Sequence, residues 1–121
     1  MKANDLMLGD WVSSRGKKEK VTSIYDGFIC TDSFEDSHDY FFEPIPLTAE
    51  ILMANGFKKG SYVGGYYSEL SPFRVYCDGK DECSFSTLFD DEIHFTCSYV
   101  HQLQHALRLC GVPDLADNFK V

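Results

Sequence analysis

Two histidines four residues apart, in His101-Gln102-Leu103-Gln104-His105, are the first place where residue type and spacing suggest chemistry. On a helix, positions i and i+4 lie side by side, so both imidazoles reach one metal ion. The run invites comparison with the zinc-protease motif His-Glu-x-x-His and departs from it at the decisive position. That chemistry needs a carboxylate directly after the first histidine to take a proton from metal-bound water, and Gln102 is an amide without useful basicity. His101 and His105 are therefore weak candidates for a non-catalytic metal site, set against the plainer reading of two histidines on a wet helix face.

The remaining reactive side chains point less clearly. No Ser, Thr or Cys sits in a nucleophile elbow or in a caspase-like or papain-like signature, so no catalytic residue is assigned. His94 alternates within a predicted strand and would act as a base only if a thiol or carboxylate converged on it. The run Gly60-Ser61-Tyr62-Val63-Gly64-Gly65 lacks the Lys-Ser/Thr of a P-loop and reads as a linker. Asp32, Glu35, Asp36 and Asp39 crowd one loop, and Asp78, Asp81, Glu82, Asp90, Asp91 and Glu92 fall at turns. Asp suits tight turns because its side chain bonds nearby amides, and neither cluster has calcium-loop spacing. Cys30, Cys77, Cys83, Cys97 and Cys110 are an odd set without a Cys-x-x-Cys knuckle, and are expected to be buried thiols.

With 121 residues and 44% apolar content, the chain is long enough for a core of its own. A net charge of −8 argues against a nucleic-acid backbone as the main partner. The one dense basic run, Arg15-Gly16-Lys17-Lys18-Glu19-Lys20, is expected as a solvated loop between strands. No segment has the length of a membrane span, and Met1-Lys2-Ala3-Asn4-Asp5 does not open a secretory signal. Together with the odd thiol count, this places the protein in the cytoplasm.

The elements that must position these residues alternate in a clear order. Leu6 to Val12 reads as a first strand through a Gly-Asp turn, and Val21-Thr22-Ser23-Ile24-Tyr25 and Phe28-Ile29-Cys30-Thr31 form a hairpin about Asp26-Gly27. Tyr40-Phe41-Phe42 reads as a further strand, ended by Glu43-Pro44-Ile45-Pro46. A short helix follows, capped by Thr48, stapled by Leu47 on Leu52 and stopped by Gly56 with Phe57 folding back. After a Gly-rich connection, segments near 66–70, 73–77, 83–89 and 93–97 make an antiparallel meander. The last helix runs from a Ser98 cap to about Cys110 and stops at Gly111 and Pro113. Tyr99, Val100, Leu103, Ala106, Leu107 and Cys110 form its core stripe, and His101, Gln104, His105 and Arg108 its polar face. The tail from Asp114 onward is expected to be surface-packed or frayed.

Taken together, Leu8-Gly9-Asp10-Trp11-Val12, Pro44-Ile45-Pro46-Leu47-Thr48 with Ile51-Leu52 and Asn55-Gly56-Phe57, and Tyr99-Val100-His101-Gln102-Leu103-Gln104 resemble an uncharacterised family of small bacterial proteins. That family is met in prophages and other mobile elements, and the likeness runs from about residue 6 to about residue 111. It implies a cytoplasmic or phage-associated setting and adds no catalytic residue. The first part is also similar to an SH3-like barrel, through Gly9-Asp10-Trp11-Val12 and the strand spacing, and such barrels host many functions.

The expectation is an α+β protein. Residues 1–46 make a β-rich SH3-like lobe, and 47–121 a lobe of helix, antiparallel meander and C-terminal helix, the two possibly forming one continuous domain. Its expected role is non-enzymatic, engaging an unidentified protein partner through His101, Gln104, His105 and Arg108, through the acidic turns, or both, with no cofactor, nucleic acid or membrane. The alternative is a metal-binding protein or enzyme whose site gathers His94, His101, His105, cysteines or acidic residues from separate segments.

Overall fold

In a computed structural model, which describes residues 1–35, 37–60, 65–68, 73–77, 83–87 and 94–121, the first hairpin turns on two residues. Arg15 and Gly16 both have positive φ, 52° and 79°, the geometry of a two-residue turn whose twist matches the flanking strands. Strand β1, Trp11–Ser14, therefore pairs at once with β2, Lys17–Tyr25, starting from Ser14 opposite Lys17. The basic run is thus not a loop, as its charge suggests. Lys17 and Lys18 are exposed on the strand while Glu19 and Val21 point inward. Lys20 lies over the ring of its cross-strand partner Trp11, 5.7 Å from the centroid.

The hairpin about Asp26 and Gly27, again with two positive φ values, joins β2 to β3, Phe28–Thr31. Register slips between Val21 and Ser23, and such a bulge bends a strand. The first half of β2 pairs with β1 and the second half with β3. Two short strands complete an antiparallel sheet of order β4-β3-β2-β1-β5, with β4 at Ser37–His38 and β5 at Glu43–Pro44. Between them Asp39–Phe41 is a 3-10 turn, not the strand expected from its aromatics. Asp39 causes this: its carbonyl accepts from the Phe42 amide at 3.1 Å and its carboxylate from the Ala3 amide at 3.0 Å. Phe42 is thereby turned into a core with Ala3, Leu6, Val12, Val21 and Ile29, leaving Tyr40 and Phe41 outside.

Chain contacts divide the protein into Met1–Ile45 and Pro46–Val121. The second unit begins with the capped helix α1, Ala49–Ala54, where Thr48 Oγ1 accepts from the Ile51 amide at 3.2 Å. At its end the Gly56 amide donates to the Met53 carbonyl and the Phe57 amide to the Leu52 carbonyl, a Schellman stop with Gly56 at φ 84°. Strands β6 (Lys58–Lys59), β7 (Gly65–Tyr67), β8 (Phe73–Cys77), β9 (Cys83–Thr87) and β10 (His94–Thr96) then form an up-and-down antiparallel sheet in the order β10-β9-β8-β7-β6. Helix α2, Val100–Leu109, packs on this sheet, with Val100, Leu103, Ala106 and Leu107 buried. Its cap is Tyr99 and not Ser98, and Gln102 reaches back to accept from the Tyr99 amide at 3.1 Å.

Two expectations are corrected here. Cys77 and Cys83 are not thiols but form a disulfide, because the hairpin register sets them directly opposite each other with Cα atoms 4.2 Å apart. With that pairing, the reasoning from unpaired cysteines to a reducing compartment loses its footing. Nor is the C-terminal tail loose. Pro113–Asp117 forms helix α3 against α2, and Ala116 and Phe119 are fully buried. Asn55 pins the tail to α1, its Nδ2 donating to the Lys120 carbonyl at 2.8 Å and its Oδ1 accepting from the Lys120 amide at 2.7 Å. Asn55→Ala breaks both bonds and a third to the Ile51 carbonyl, so a loss of about 1–3 kcal/mol in urea unfolding is expected. A loss within error would show that these bonds merely replace water.

Candidate partner-binding site

The first unit carries a run of touching rings. Phe28 and His38 have centroids 4.6 Å apart, His38 and Tyr40 stack at 5.1 Å and 17°, and Tyr40 and Phe41 lie 4.5 Å apart. Its outer end is open to solvent, with Tyr40 67% and Phe41 45% exposed. The 3-10 turn is the cause, since it sends two consecutive aromatics outward where a strand would have buried one of them. Behind them Phe34 and Phe42 meet edge to face at 6.2 Å.

Phe41 also lines a groove of about 190 Å³ with Ser14, Arg15, Phe34, Ser37 and Phe42. The groove runs between the Arg15-Gly16 turn and the segment from Phe34 to Phe42. Arg15 is the charged residue of its lining. In sequence, residues 32–43 carry Asp32, Glu35, Asp36, Asp39 and Glu43 and no Lys or Arg, whereas the hairpin carries Arg15, Lys17 and Lys18. Lys17 Nζ, which donates to Ser33 Oγ at 3.0 Å, bridges the two.

Glu19 is the residue that sequence reading missed. It is 3% exposed, pairs with Val12, and so shares a sheet face with Ser14 one cross-strand step away. Its Oε1 lies 3.5 Å from Lys17 Nζ and makes no hydrogen bond. The signal lies in Lys17-Lys18-Glu19-Lys20-Val21, where period two puts Glu19 on the Val21 side, although the charge of the run favours a loop. A buried carboxylate facing only a largely exposed ammonium costs stability. Glu19→Met is expected to hold or raise the unfolding free energy, by up to about 2 kcal/mol, in thermal and urea melts. A clear loss would show that the Lys17 pair stabilises the fold.

The helix residues expected to form a docking face sit differently from that expectation. Gln104 is 0% exposed and donates from Nε2 to the Ala116 carbonyl at 3.0 Å. His101 is buried as well, stacked on Tyr99 at 6.0 Å and edge-on to His105 at 5.6 Å. His105 and Arg108 are half-buried, and Arg108 lies 3.4 Å from Asp117 Oδ1. For Gln104 and Arg108 the physical reason is α3, which meets them with the Ala116 carbonyl and the Asp117 carboxylate. Among the described residues, no three His, Cys, Asp or Glu side chains gather where a metal ion would sit. His94 lies on β10 opposite Ser86. Asp36, the acidic turns at 78–82 and 90–92, and the loop at 61–64 lie outside the described residues. Burial pushes the Cys97 thiol up to about 12 and raises that of Cys110, so neither is a ready nucleophile near neutral pH.

Among the described residues no helix is long and apolar enough to cross a membrane. Compared with known protein families, with curated proteins and with solved structures, the chain matches none.

Proposed function

We propose that the protein is a non-enzymatic interaction module whose first unit holds an extended, basic segment of a partner protein. The observation that carries this is the open ring run ending in the groove at Phe41. Exposed neighbouring aromatics are costly to leave in water, and a patch of them beside a cleft marks a contact surface. The acidic segment that carries these rings selects the partner's charge. The exposed carboxylates of Asp32, Glu35 and Glu43 attract Lys and Arg side chains, and the faces of Tyr40 and Phe41 bind such cations once they are drawn in.

The sheet order β4-β3-β2-β1-β5, the bent β2 and the 3-10 turn before β5 support reading this unit as SH3-like. The setting proposed is the one the resemblance implies, that of small cytoplasmic bacterial proteins of prophages and other mobile elements.

The test uses fluorescent dodecapeptides on the full chain, Arg- and Lys-containing against Glu-substituted counterparts, read by anisotropy at two salt concentrations. Basic peptides bind, with affinity falling as salt rises. Tyr40→Ala and Phe41→Ala each weaken binding about tenfold, the scale of one lost cation–π and stacking contact. Equal affinity for acidic and basic peptides, or no effect of either substitution, overturns the proposal.

A further inference from the structure

The register of the second sheet brings three cysteines into one row. Cys77 faces Cys83 across β8 and β9. On the far side of β9 the Cys97 amide donates to the Cys83 carbonyl at 2.6 Å, continuing the register that sets Thr96 opposite Ser84. A residue of a middle strand turns both its backbone groups to one neighbour. Cys83 turns them to Cys97, so it meets Cys77 as a non-hydrogen-bonded pair, in keeping with the Cα separation of 4.2 Å. Directly paired side chains share a face of the sheet, which puts Cys83 between the other two sulfurs on one side. Hydrogen-bonded pairs have Cα atoms about 5.5 Å apart, inside the range that a disulfide spans.

We propose that Cys77, Cys83 and Cys97 form a thiol–disulfide exchange site in which the bridge passes from Cys77–Cys83 to Cys83–Cys97. Displacement at sulfur needs the attacking, central and leaving sulfurs in line, and a row running across three strands supplies that order. Burial keeps Cys97 almost wholly protonated near neutral pH, so the step runs slowly through its small ionised fraction: the Cys97 thiolate attacks Cys83 Sγ, the bond between Cys83 and Cys97 forms, and the bond to Cys77 breaks. The electron pair leaves on Cys77 Sγ, which takes up a proton in place of the one Cys97 gave up. Nothing is oxidised or reduced overall. Cys83 and Cys97 are buried and Cys77 is half-buried, so the step replaces a sealed thiol by one nearer solvent. The species that reads this change is a small electrophile or a low-molecular-weight disulfide.

The experiment incubates the full chain with iodoacetamide, without reductant, for minutes to hours, the span of uncatalysed disulfide rearrangement. Digestion with trypsin under non-reducing conditions follows. Cleavage after Arg74, Lys80 and Arg108 leaves Cys77 in peptide 75–80 and both Cys83 and Cys97 in peptide 81–108. The resting bridge links the two peptides. Exchange is expected to yield alkylated 75–80 and internally bridged 81–108 in equal amounts, rising with time. Persistence of the linked pair alone overturns the proposal, as does alkylated Cys77 without the internal bridge. Cys97→Ala abolishes the new products, and if that variant fails to fold, the wild-type peptide map decides by itself.

Discussion

Phe119→Ala lowers the unfolding free energy by about 3–5 kcal/mol, the cost of emptying a buried phenylalanine site. Phe119 is 1% exposed, and it anchors the tail that keeps α3 over α2. Its loss removes more than its own contacts. Gln104 loses its bond to the Ala116 carbonyl as α3 lifts, and a lost hydrogen bond costs about a further 0.5–1.5 kcal/mol. Urea unfolding measures the total, and hydrogen exchange shows where it falls, with amides of α2 and α3 losing protection first. A change below about 1 kcal/mol would mean that the tail is a loose cover and that the polar side of α2 is available after all.

Alkaline pH weakens the fold through Cys97. Burial raises its folded-state pKa from 9.0 to about 12. The sign follows from proton counting. Between these values the unfolded chain has released the thiol proton and the folded chain still holds it, so stability falls as pH rises. The contribution is fully present below about pH 9 and is lost as pH rises through about 12. Three pH units at about 1.4 kcal/mol each bound the loss at about 4 kcal/mol. Urea unfolding of the wild type and Cys97→Ala, both kept reduced by a phosphine so that no bridge reshuffles, isolates it. The alanine variant is less stable near neutrality but loses stability less steeply above pH 9. Parallel pH dependences would show that Cys97 titrates as freely in the fold as outside it.

Much of the local structure was legible in the sequence. The Thr48 cap, the stops at Gly56 and Gly111, the Asp26-Gly27 turn and the order of the meander all depend on residues a few positions apart, and all were expected where they occur. So was the core stripe of α2 at Val100, Leu103, Ala106 and Leu107, although Tyr99 at its start is exposed and Cys110 at its end only half-buried. The failures share one feature. Arg15-Gly16 was overlooked as a turn because the charge of its neighbours outweighed its backbone geometry, and Glu19 was lost with it. The 3-10 turn at Asp39–Phe41 depends on a bond to Ala3, thirty-six residues earlier. The candidate groove was invisible for the same reason, since Ser14, Arg15, Phe34, Ser37, Phe41 and Phe42 come from separate segments.

The sequence by itself determined the α+β composition, the helix caps, the meander and the apolar faces, because those follow from nearest-neighbour sterics and from periods of two and 3.6 residues. Tertiary structure alone decided which polar residues reach water and which cysteines meet. The side of α2 bearing Gln104 and Arg108 is polar in any helical arrangement, but α3 packs against it. Cys77, Cys83 and Cys97 are scattered along the chain, but strand register lines them up. Exposure and pairing belong to elements distant in sequence, and no local pattern records which of them will be packed together.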